Sequence, residues 1–384
     1  MDFGKPYAVI GASIAGLSAA LSLLKSGKRV EIYEAQSPFS PKSRTLIVTS
    51  RFSRFFDSDH DLILNRISTY ELISCSSSIR IPLEKPDFVL DRASLLKALL
   101  RKAEGHGAKV FFGHRVLGIN EESEVVVEVE KDLGRKISVS AQGVVGADGR
   151  FSVVRKAMGI DGIKYVGISQ ALVYLPEDCK QDTVRVWFDT RRTRFFFWLI
   201  PTSERKAAVG VIAEAPRESR ELLLEFIKSE GFDPLEWEED AHVPVFKPGI
   251  TFKSSSKRVI LAGDAACQVK MTTVGGVVTG MWGGWASGEL LSGEDRAKRQ
   301  IFSLKKELTA HWLLRNVLDT FNDHDYDTLF RLMNRWTLRI LSKKTRDEFS
   351  KSMWMLIFSQ PGWASLALKK LSSIVFGRRN RTWK

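Results

Sequence analysis

Three short motifs rich in glycine and aspartate contain the residues best suited to binding a nucleotide cofactor. The first motif, Val9–Gly16, is VIGASIAG, and the second, Gly146–Arg155, is GADGRFSVVR. The third begins at Gly263-Asp264. A glycine turn that leads into a helix presents free backbone N–H groups and the positive end of the helix dipole to a phosphate. These motifs therefore predict that the chain binds a dinucleotide.

The first motif has the main features of a dinucleotide-binding turn. Gly11 allows a tight turn, and Gly16 allows the following helix to pack closely on the sheet. Ser13 stands where this fingerprint usually has its second glycine, so the copy is imperfect. Glu34, at the end of the next predicted strand, stands where an acidic residue accepts hydrogen bonds from the adenosine ribose. In this frame we favour a binding site over a plain glycine turn.

The two later motifs indicate which dinucleotide is bound. Asp148 and Asp264 each follow an apolar strand, where a carboxylate can accept a hydrogen bond from a ribityl hydroxyl. Gly275-Gly276, at the start of a predicted helix, offers further N–H groups to a flavin ring or to phosphates. Either aspartate motif alone also fits an ordinary turn. The three motifs in this order predict FAD.

The elements around these motifs predict an α/β protein. Apolar spacing predicts a strand at Tyr7–Ile10, a helix at Ala15–Lys25 and a strand at Arg29–Tyr33, which together form a βαβ unit with a parallel sheet. Residues 36–66 are rich in Ser, Pro and Arg and predict a long loop followed by a short helix. The buried-strand pattern recurs at 143–147 and 257–262, on both sides of a β-rich stretch.

This alternation predicts how the chain divides into domains. We expect a Rossmann-type FAD-binding domain built from 1–66, 91–160 and 255–295, an inserted β-sheet substrate domain built from 67–90 and 161–254, and a basic C-terminal helical region over 296–384. The chain has 384 residues, of which 44% are apolar and 27% charged. That composition fits a globular protein of two or three domains and excludes a disordered or collagen-like chain.

The cysteine spacing and the patterns of signal peptides and membrane spans predict the cellular compartment of the protein. Cys75, Cys179 and Cys267 lie far apart and form no CxxC pair, which favours a reducing compartment and predicts no metal site. The six histidines are scattered, and no catalytic triad is evident. No signal-peptide pattern opens the chain, and no apolar run reaches the roughly 18 residues of a membrane span. We therefore expect a cytoplasmic protein, in which none of the three cysteines forms a disulfide.

The positive charge is concentrated at the C-terminal end. The net charge is +13, and residues 296–384 contain 19 Lys and Arg against 7 Asp and Glu. Five of the ten tryptophans lie in the same segment. Basic charge with tryptophan predicts peripheral association with an anionic membrane surface. A solvated basic helical tail fits the composition equally well. Nothing in the sequence matches a nucleic-acid recognition motif.

Residues 7–295 resemble the FAD-dependent reductases and monooxygenases of the para-hydroxybenzoate hydroxylase type, and among these the geranylgeranyl reductases in particular. The third motif of those reductases typically reads GDAAGQVKPTTGGG, and Gly263–Gly276 reads GDAACQVKMTTVGG. Cys267, Met271 and Val274 stand in place of Gly, Pro and Gly. The retained QVK and TT segments distinguish this chain from the hydroxylases.

The resemblance implies a set of FAD-binding residues. Asp91-Arg92 is similar to the family's Asp-Arg pair, whose arginine helps to hold the cofactor. With the three motifs, the cofactor set is Gly11, Ser13, Ala15, Gly16, Glu34, Ala35, Arg44, Thr45, Arg92, Val116, Asp148, Gly263, Asp264, Gly275, Gly276 and Val277. One stretch departs from the family, because Arg44–Val48 has Thr45 and Leu46 where the reductases have cysteine and glycine.

A second match lies in the β-rich insert. The reductases have an aromatic-x-Trp-x-Phe-Pro strand with a glycine farther along, and this strand lines a tunnel for the isoprenoid chain. Residues Phe196–Pro201, FFWLIP, match it and are followed by Gly210. The resemblance implies that Phe196, Trp198, Ile200, Pro201 and Gly210 contact substrate. Periodicity alone also fits an ordinary core strand.

These observations predict an FAD-dependent oxidoreductase that reduces C=C bonds of geranylgeranyl lipids or prenylquinones. We expect NAD(P)H or ferredoxin as electron donor, a monomer, and an isoprenoid lipid in an anionic membrane as partner. No catalytic residue is assigned; Thr45 and ordered water are candidates for the proton donor. The alternative is a monooxygenase or halogenase that acts on an aromatic substrate with NAD(P)H. A third possibility is an FAD-binding protein without activity, since Ser13, Thr45 and Met271 depart from the family.

Overall fold

The protein is described by a computed structural model that covers residues 4–56, 60–121, 125–131, 134–250, 258–363 and 365. The chain divides into two compact units. Unit 1 contains Met1–Ile63, Leu90–Tyr165 and His242–Leu308, and unit 2 contains Leu64–Val89, Val166–Ala241 and Thr309–Lys384. Among the described residues, no helix is long and apolar enough to cross a membrane.

The strands are β1 (Tyr7–Ile10), β2 (Val30–Glu34), β3 (Thr45–Val48), β4 (Ile63–Ile73), β5 (Ser78–Asp91), β6 (Lys109–Phe112), β7 (Arg115–Asn120), β8 (Val125–Glu130), β9 (Lys136–Ala141), β10 (Gly143–Gly146), β11 (Tyr165–Tyr174), β12 (Thr183–Trp187), β13 (Phe197–Pro201), β14 (Lys206–Ala213), β15 (Pro234–Trp237), β16 (Ala241–Pro244) and β17 (Val259–Leu261). The helices are α1 (Ile14–Lys25), α2 (Arg92–Gly105), α3 (Val153–Ala157), α4 (Ser219–Glu230), α5 (Val277–Leu291), α6 (Arg296–Leu318), α7 (Asp323–Arg331), α8 (Arg335–Lys343) and α9 (Phe349–Ser359).

The main element of unit 1 is a five-stranded parallel sheet in the order β17-β10-β1-β2-β6. Each residue of β1 and β10 is buried, as expected for the central strands of a parallel sheet covered on both faces. The register pairs Ile10 with Gly146 and Gly146 with Leu261, so three strands end at the same edge. The three sequence motifs therefore begin side by side.

Helices α1 and α5 pack closely against each other in unit 1. A Cβ placed on Gly284 would lie 2.1 Å from the carbonyl oxygen of Ala15, and one on Gly288 would lie 2.8 Å from that of Ala19. The Ser22 hydroxyl donates to the carbonyl of Trp285 at 2.9 Å. The small residues of α5 allow a backbone approach that fixes the start of α1 relative to the start of α5.

Unit 2 is built on a sheet with strand order β15-β11-β14-β13-β12-β4-β5. The successive pairs from β15 to β12 are antiparallel, and β12 pairs with β4 in parallel. Helix α4 covers one face, where the rings of Phe197 and Phe226 stack at 4.2 Å. Aromatic residues of α7 lie on the other side, where Tyr326 stacks on Phe188 at 4.5 Å. This second contact explains why α7 groups with the β-rich segments.

The structure differs from the sequence expectations in several places. Residues 45–48 form β3 within the stretch that was expected to be a loop. The sequence did not predict this strand, because the run Thr45–Val48 is short and is flanked by Ser and Pro. Strand β5 runs to Asp91, so residue 90, expected in the substrate domain, and Asp91, expected in the FAD-binding domain, belong to one strand. Residues 242–250 group with unit 1 and residues from 309 onward with unit 2. The part of the expected basic helical region beyond residue 365 lies outside the described residues.

Candidate functional site

The first motif forms a capped helix start. Gly11 has φ of +95°, and a Cβ there would lie 2.6 Å from the carbonyl oxygen of Ala147, so this position requires glycine. Ser13 is the N-cap of α1: its hydroxyl accepts from the N–H of Gly16 at 3.1 Å and donates to the carbonyl of Ala147 at 2.9 Å. The serine at the second fingerprint position therefore links α1 to the second motif, and Ala15 is buried beside it.

Glu34 is held in place by backbone donors. Its carboxylate accepts from the N–H of Ala12 at 2.8 Å and from the N–H of Gln36 at 2.8 Å. Ala35, between Glu34 and Gln36, is exposed. Each carboxylate oxygen retains acceptor capacity after one hydrogen bond, so the group can still accept from the hydroxyls of a ribose.

Asp91 brings the Arg44 and Arg92 stretches together. Its carboxylate accepts from the Ser43 hydroxyl at 2.6 Å, from the N–H of Arg44 at 3.2 Å and from the N–H of Ser94 at 2.8 Å. The N–H of Arg92 donates to the Arg44 carbonyl at 2.9 Å. Burial raises the pKa of Asp91, but these donors outweigh it and hold the pKa below its ordinary value. Thr45 follows directly and is buried.

Asp264 is a partly buried carboxylate whose pKa responds to four arginines. Burial raises its pKa, and the guanidinium groups of Arg92, Arg150, Arg155 and Arg44 act in the opposite direction. A Cβ placed on Gly276 would lie 3.5 Å from Asp264 Oδ1, so the carboxylate lies beside the start of α5. The cluster joins residues that are far apart in sequence, and the carboxylate provides a strong acceptor beside a helix N-terminus.

The turn before α5 leaves its N-terminus open. Gly276 is the N-cap and Val277 the first helical residue, and no side chain caps this end. The carbonyl of Gly275 accepts from the N–H of Lys270 at 3.2 Å, which closes the turn. The first N–H groups of a helix have no intrahelical acceptor, so this end can bind an anion or a polar ring edge. Gly263 has φ of +64° and a Cβ there would lie 2.6 Å from that of Ala15, so glycine is required.

Two predicted cofactor residues have side chains that are engaged within the protein. The Asp148 carboxylate accepts from the Ser152 hydroxyl at 2.5 Å and from the N–H of Val153 at 2.7 Å, at the start of α3. Burial raises its pKa, and these hydrogen bonds oppose that effect. Val116 packs in the hydrophobic core beside Tyr33. The Asp148 side chain bonds to the start of α3 and the Val116 side chain packs in the core. Any contact with a cofactor at these two positions would therefore come from the backbone.

Two residues of the motifs have structural roles that the sequence analysis did not assign. Arg155 is buried, and its guanidinium donates to the Ala265 carbonyl at 3.1 Å and to the Tyr165 hydroxyl at 3.2 Å, which joins the second motif to the third. Gln268 is fully buried and accepts from the N–H of Gly263 at 2.7 Å. The available indication for Arg155 was a charged residue directly after the apolar pair Val153-Val154.

Two substitutions relative to the resembled motif coincide with backbone strain. Cys267 and Val274, which replace glycines, are the non-glycine residues with positive φ in the described part of the chain, at 54° and 48°. A β-branched residue in this conformation is a genuine outlier. Cys267 is fully buried in the core of unit 1, and burial raises the pKa of its thiol to about 11. The thiol is therefore protonated at neutral pH and packs as an apolar group.

The predicted substrate strand contains a cross-strand pair that explains its motif. Trp198 and Gly210 are directly opposite each other on β13 and β14. A Cβ on Gly210 would lie 2.2 Å from Trp198 Cζ2, so the indole lies flat over the glycine. The indole N–H of Trp198 is buried and has no acceptor among the described residues. The conformation of Trp198 thus depends on glycine across the strand pair.

The other residues of this strand follow the alternation of a sheet. Phe196 and Trp198 are in edge contact at 6.0 Å, on the face opposite the one that α4 covers. Ile200 continues that face and is buried. Pro201 accepts from the Asn65 amide at 2.9 Å through its carbonyl. The result is a run of aromatic and apolar side chains along β13, and the buried Gln170, hydrogen-bonded to Glu238, lies on the same face because it is paired with Gly210.

The predicted cofactor residues all lie in unit 1, and the predicted substrate residues all lie in unit 2. Among the described residues, no group of His, Cys, Asp or Glu is arranged to hold a metal ion. Unit 1 combines two helix N-termini, an acceptor for a ribose at Glu34 and an acceptor at Asp264. These features match the phosphates, the ribose and the ribityl chain of a flavin dinucleotide.

A comparison with protein-family models identifies the family. The model described as the FAD binding domain matches residues 84–283, more than half of the chain. The chain belongs to the FAD-binding domain family. For this family member, the residues of unit 1 fit FAD: Glu34 would hold the ribose, the α1 N-terminus the pyrophosphate, and Asp264 with the α5 N-terminus the ribityl chain and flavin.

Curated relatives of this FAD-binding protein match most of its length. Digeranylgeranylglycerophospholipid reductase 1 of Methanosphaera stadtmanae is 23% identical and aligns over 97% of this chain and 98% of its own. Geranylgeranyl diphosphate reductase of Rhodobacter capsulatus is 26% identical over 83% of this chain and 84% of its own.

Solved structures show the same fold. A geranylgeranyl bacteriochlorophyll reductase-like protein of Thermoplasma acidophilum has a TM-score of 0.75 at 18% identity, covering 96% of this chain and 99% of its own. A flavin-dependent halogenase has a TM-score of 0.65 at 16% identity, covering 91% of this chain and 70% of its own. The fold therefore occurs in proteins named for different flavin chemistries, and fold alone does not choose between them.

Proposed function

We propose that the protein is an FAD-dependent reductase of C=C double bonds in the geranylgeranyl chains of membrane lipids. The observation that carries this proposal is the Trp198–Gly210 pair, which builds an apolar aromatic face suited to a long hydrocarbon. The near full-length similarity to proteins named as lipid reductases supports it. The structural similarity to the flavin-dependent halogenase supports only the fold.

In this proposal each unit has its own task. When bound and reduced, FAD supplies a hydride for one alkene carbon, while a proton goes to the other. Glu34, Arg92, Asp264 and the two helix N-termini bind and orient the cofactor. Phe196, Trp198 and Ile200 bind the isoprenoid chain and exclude water, so positioning provides most of the catalysis. We propose NAD(P)H or ferredoxin as the source of electrons and a monomer at the cytoplasmic membrane surface as the working form.

The test is an anaerobic single-turnover experiment. Protein reduced with dithionite is mixed with a geranylgeranyl phospholipid in detergent, and flavin absorbance and product mass are followed. We expect flavin reoxidation together with a gain of two hydrogen atoms per reduced bond. Reoxidation only after air is admitted, with oxygenation or halogenation of an aromatic substrate, would instead support the alternative function. FAD binding without either reaction would indicate a protein that has lost activity.

The sheet face is tested by one change made on each side of it. Trp198→Phe alters the proposed substrate face, and Trp187→Phe makes the same change on β12, where Trp187 contacts Phe226 under α4 at 5.3 Å. We expect Trp198→Phe to lower kcat/KM for the lipid about tenfold, since lost apolar contacts have effects of this size. Both variants should retain FAD. Equal kinetics of the two variants would exclude the Trp198 face as the substrate site.

A further inference from the structure

The helices α8 and α9 form a pair whose outer surface carries large apolar residues. Ser350, Ser352 and Leu356 are the buried residues of α9. Trp354 and Phe358 are exposed to 59% and 79%, and Met355 beside them is also exposed. A surface helix of a globular protein normally buries its apolar stripe and exposes its polar residues. Helix α9 instead carries apolar residues on its exposed face as well as on its packed side.

The exposed residues of α9 lie on one face. Lys351, Trp354, Met355 and Phe358 follow the spacing i, i+3, i+4, i+7, which defines a single stripe along a helix. Scattered single apolar residues on a surface need no explanation, but a contiguous patch marks an interaction site. The stripe of α9 is contiguous, so it requires a partner other than water.

Helix α8 adds an aromatic residue at the same end of the pair. The Asn334 amide, at the N-cap of α8, donates to the carbonyl of Ser359 at the end of α9 at 3.0 Å. Trp336, 68% exposed, therefore lies near the end of the pair at which Phe358 is found. Tryptophan is the residue type enriched at membrane–water interfaces, because its ring is apolar and its N–H is polar.

The exposed charges that α8, α9 and their connection contribute to this surface have one sign, and the exposed Glu84 of β5 lies 3.9 Å from Lys343. The exposed charged residues between 335 and 359 are all cations, namely Arg335, Arg339, Lys343, Lys344 and Lys351. The two acidic residues of this segment, Asp347 and Glu348, are not exposed. The sequence after residue 365 adds six more Lys and Arg and no Asp or Glu. The charge thus favours an anionic partner and disfavours a second copy of the same face.

We infer that the α8–α9 face, defined by Trp336, Trp354, Met355 and Phe358 with the surrounding cations, docks on an anionic lipid bilayer. The aromatic side chains enter the headgroup and acyl boundary while Arg335, Arg339 and Lys351 contact the lipid phosphates. The exposed residues and charges that indicate docking do not depend on the proposed function. The proposed function gives only the reason for docking, since a reductase of lipids must reach them in a membrane.

The test is sedimentation of the full chain with vesicles. Vesicles of phosphatidylcholine alone are compared with vesicles containing 30 mol% phosphatidylglycerol. We expect at least tenfold stronger binding to the anionic vesicles, weakening as ionic strength rises, because salt screens the phosphate contacts. Absence of binding to the anionic vesicles would overturn the inference.

Matched variants locate the contact. Trp354→Ser with Phe358→Ser removes the apolar stripe, and Tyr174→Ser removes an exposed aromatic residue on β11. Arg335→Gln with Arg339→Gln is matched by Lys97→Gln with Arg101→Gln on α2, which makes the same change in net charge. We expect about tenfold weaker binding for each α8–α9 variant and wild-type binding for each control. All positions are exposed, so melting temperatures should be unchanged.

Two further readouts separate the possible outcomes. Equal vesicle binding by the α8–α9 variants and their controls would overturn the inference. A wild-type dimer that Phe358→Ser converts to a monomer in light scattering would also overturn it, since the face would then bind a second copy. Turnover of detergent-dispersed lipid by the variants should equal wild type. Vesicle binding without lipid reduction would leave the docking face in place and refute the proposed function instead.

Discussion

Asp264 combines a position beside a helix N-terminus with burial, and the two have opposite effects on stability. Its raised pKa means that the folded chain binds a proton more tightly than the unfolded chain does. Stability of the protein without cofactor therefore falls as the pH rises from the ordinary aspartate value through the raised value. The raised pKa therefore predicts that the ionised carboxylate destabilises the fold at neutral pH, and a cofactor that donated a hydrogen bond to it would compensate for this.

The variant Asp264→Asn tests that opposition. We expect a melting temperature a few degrees higher without cofactor at pH 7, and FAD affinity lower by about 1.5–3 kcal/mol, the range for hydrogen bonds to charged groups. Asp161→Asn is the control, because Asp161 is exposed and the change in charge is the same. Scanning calorimetry and FAD titration provide the two measurements. A variant with unchanged FAD affinity would remove Asp264 from the cofactor site.

At the residue scale, the sequence predicted the backbone role of Gly11 but not the contacts of several side chains. Gly11 was predicted to allow a tight turn, and its φ of +95° agrees with that prediction. The engagement of Asp148 with the start of α3 could not be predicted, because it depends on which way the carboxylate turns within its loop. The role of Arg155 depends on carbonyls more than 100 residues away in sequence.

At the scale of elements, the contact between α1 and α5 determines where the two helix N-termini lie. Gly280 and Gly284 stand one turn apart on α5, but their surroundings differ. A Cβ on Gly280 would meet ordinary neighbours at 3.8 Å, whereas a Cβ on Gly284 would lie 2.1 Å from a backbone oxygen of α1. Since that oxygen belongs to the backbone, only a shift of a whole helix can relieve the second contact.

This difference predicts opposite effects of the same substitution. Gly284→Ala should destabilise the protein by about 1–3 kcal/mol and weaken FAD binding, because the α1 start moves relative to α5. Gly280→Ala should stabilise it by about 0.5–1 kcal/mol, since alanine is the better helix former. Denaturant unfolding of both variants measures the difference. The close approach of α1 and α5 would be refuted if Gly284→Ala were as stable as Gly280→Ala.

The elements themselves were largely predictable where the pattern was long. The expected βαβ unit is found as β1, α1 and β2. Short strands within stretches rich in Ser and Pro were not predictable, and β3 is an example. The sequence showed only the spacing between Trp198 and Gly210. The structure shows that the two residues are paired across β13 and β14.

At the scale of the whole molecule, each unit is assembled from three separate segments. The recurring buried-strand pattern predicted the interleaving, because β10 and β17 must join β1 in one parallel sheet. The grouping of α7 with unit 2 could not be predicted from composition. It follows from the packing of Tyr326 on Phe188 and from the Asp327 carboxylate, which accepts from the hydroxyls of Ser74 and Ser76 at 2.5 and 2.6 Å.

The confinement of the cofactor residues to unit 1 gives a prediction for the whole chain. FAD at 100 times its dissociation constant should stabilise unit 1 by about 2.7 kcal/mol, which slows exchange of its most protected amides about a hundredfold. Hydrogen exchange with mass spectrometry should show this slowing in peptides from β1, α1, β17 and α5. Peptides from β13 and β14 of unit 2 should change far less. Equal slowing in both units would show that they unfold as one, and slowing only in unit 2 would contradict the proposed FAD site.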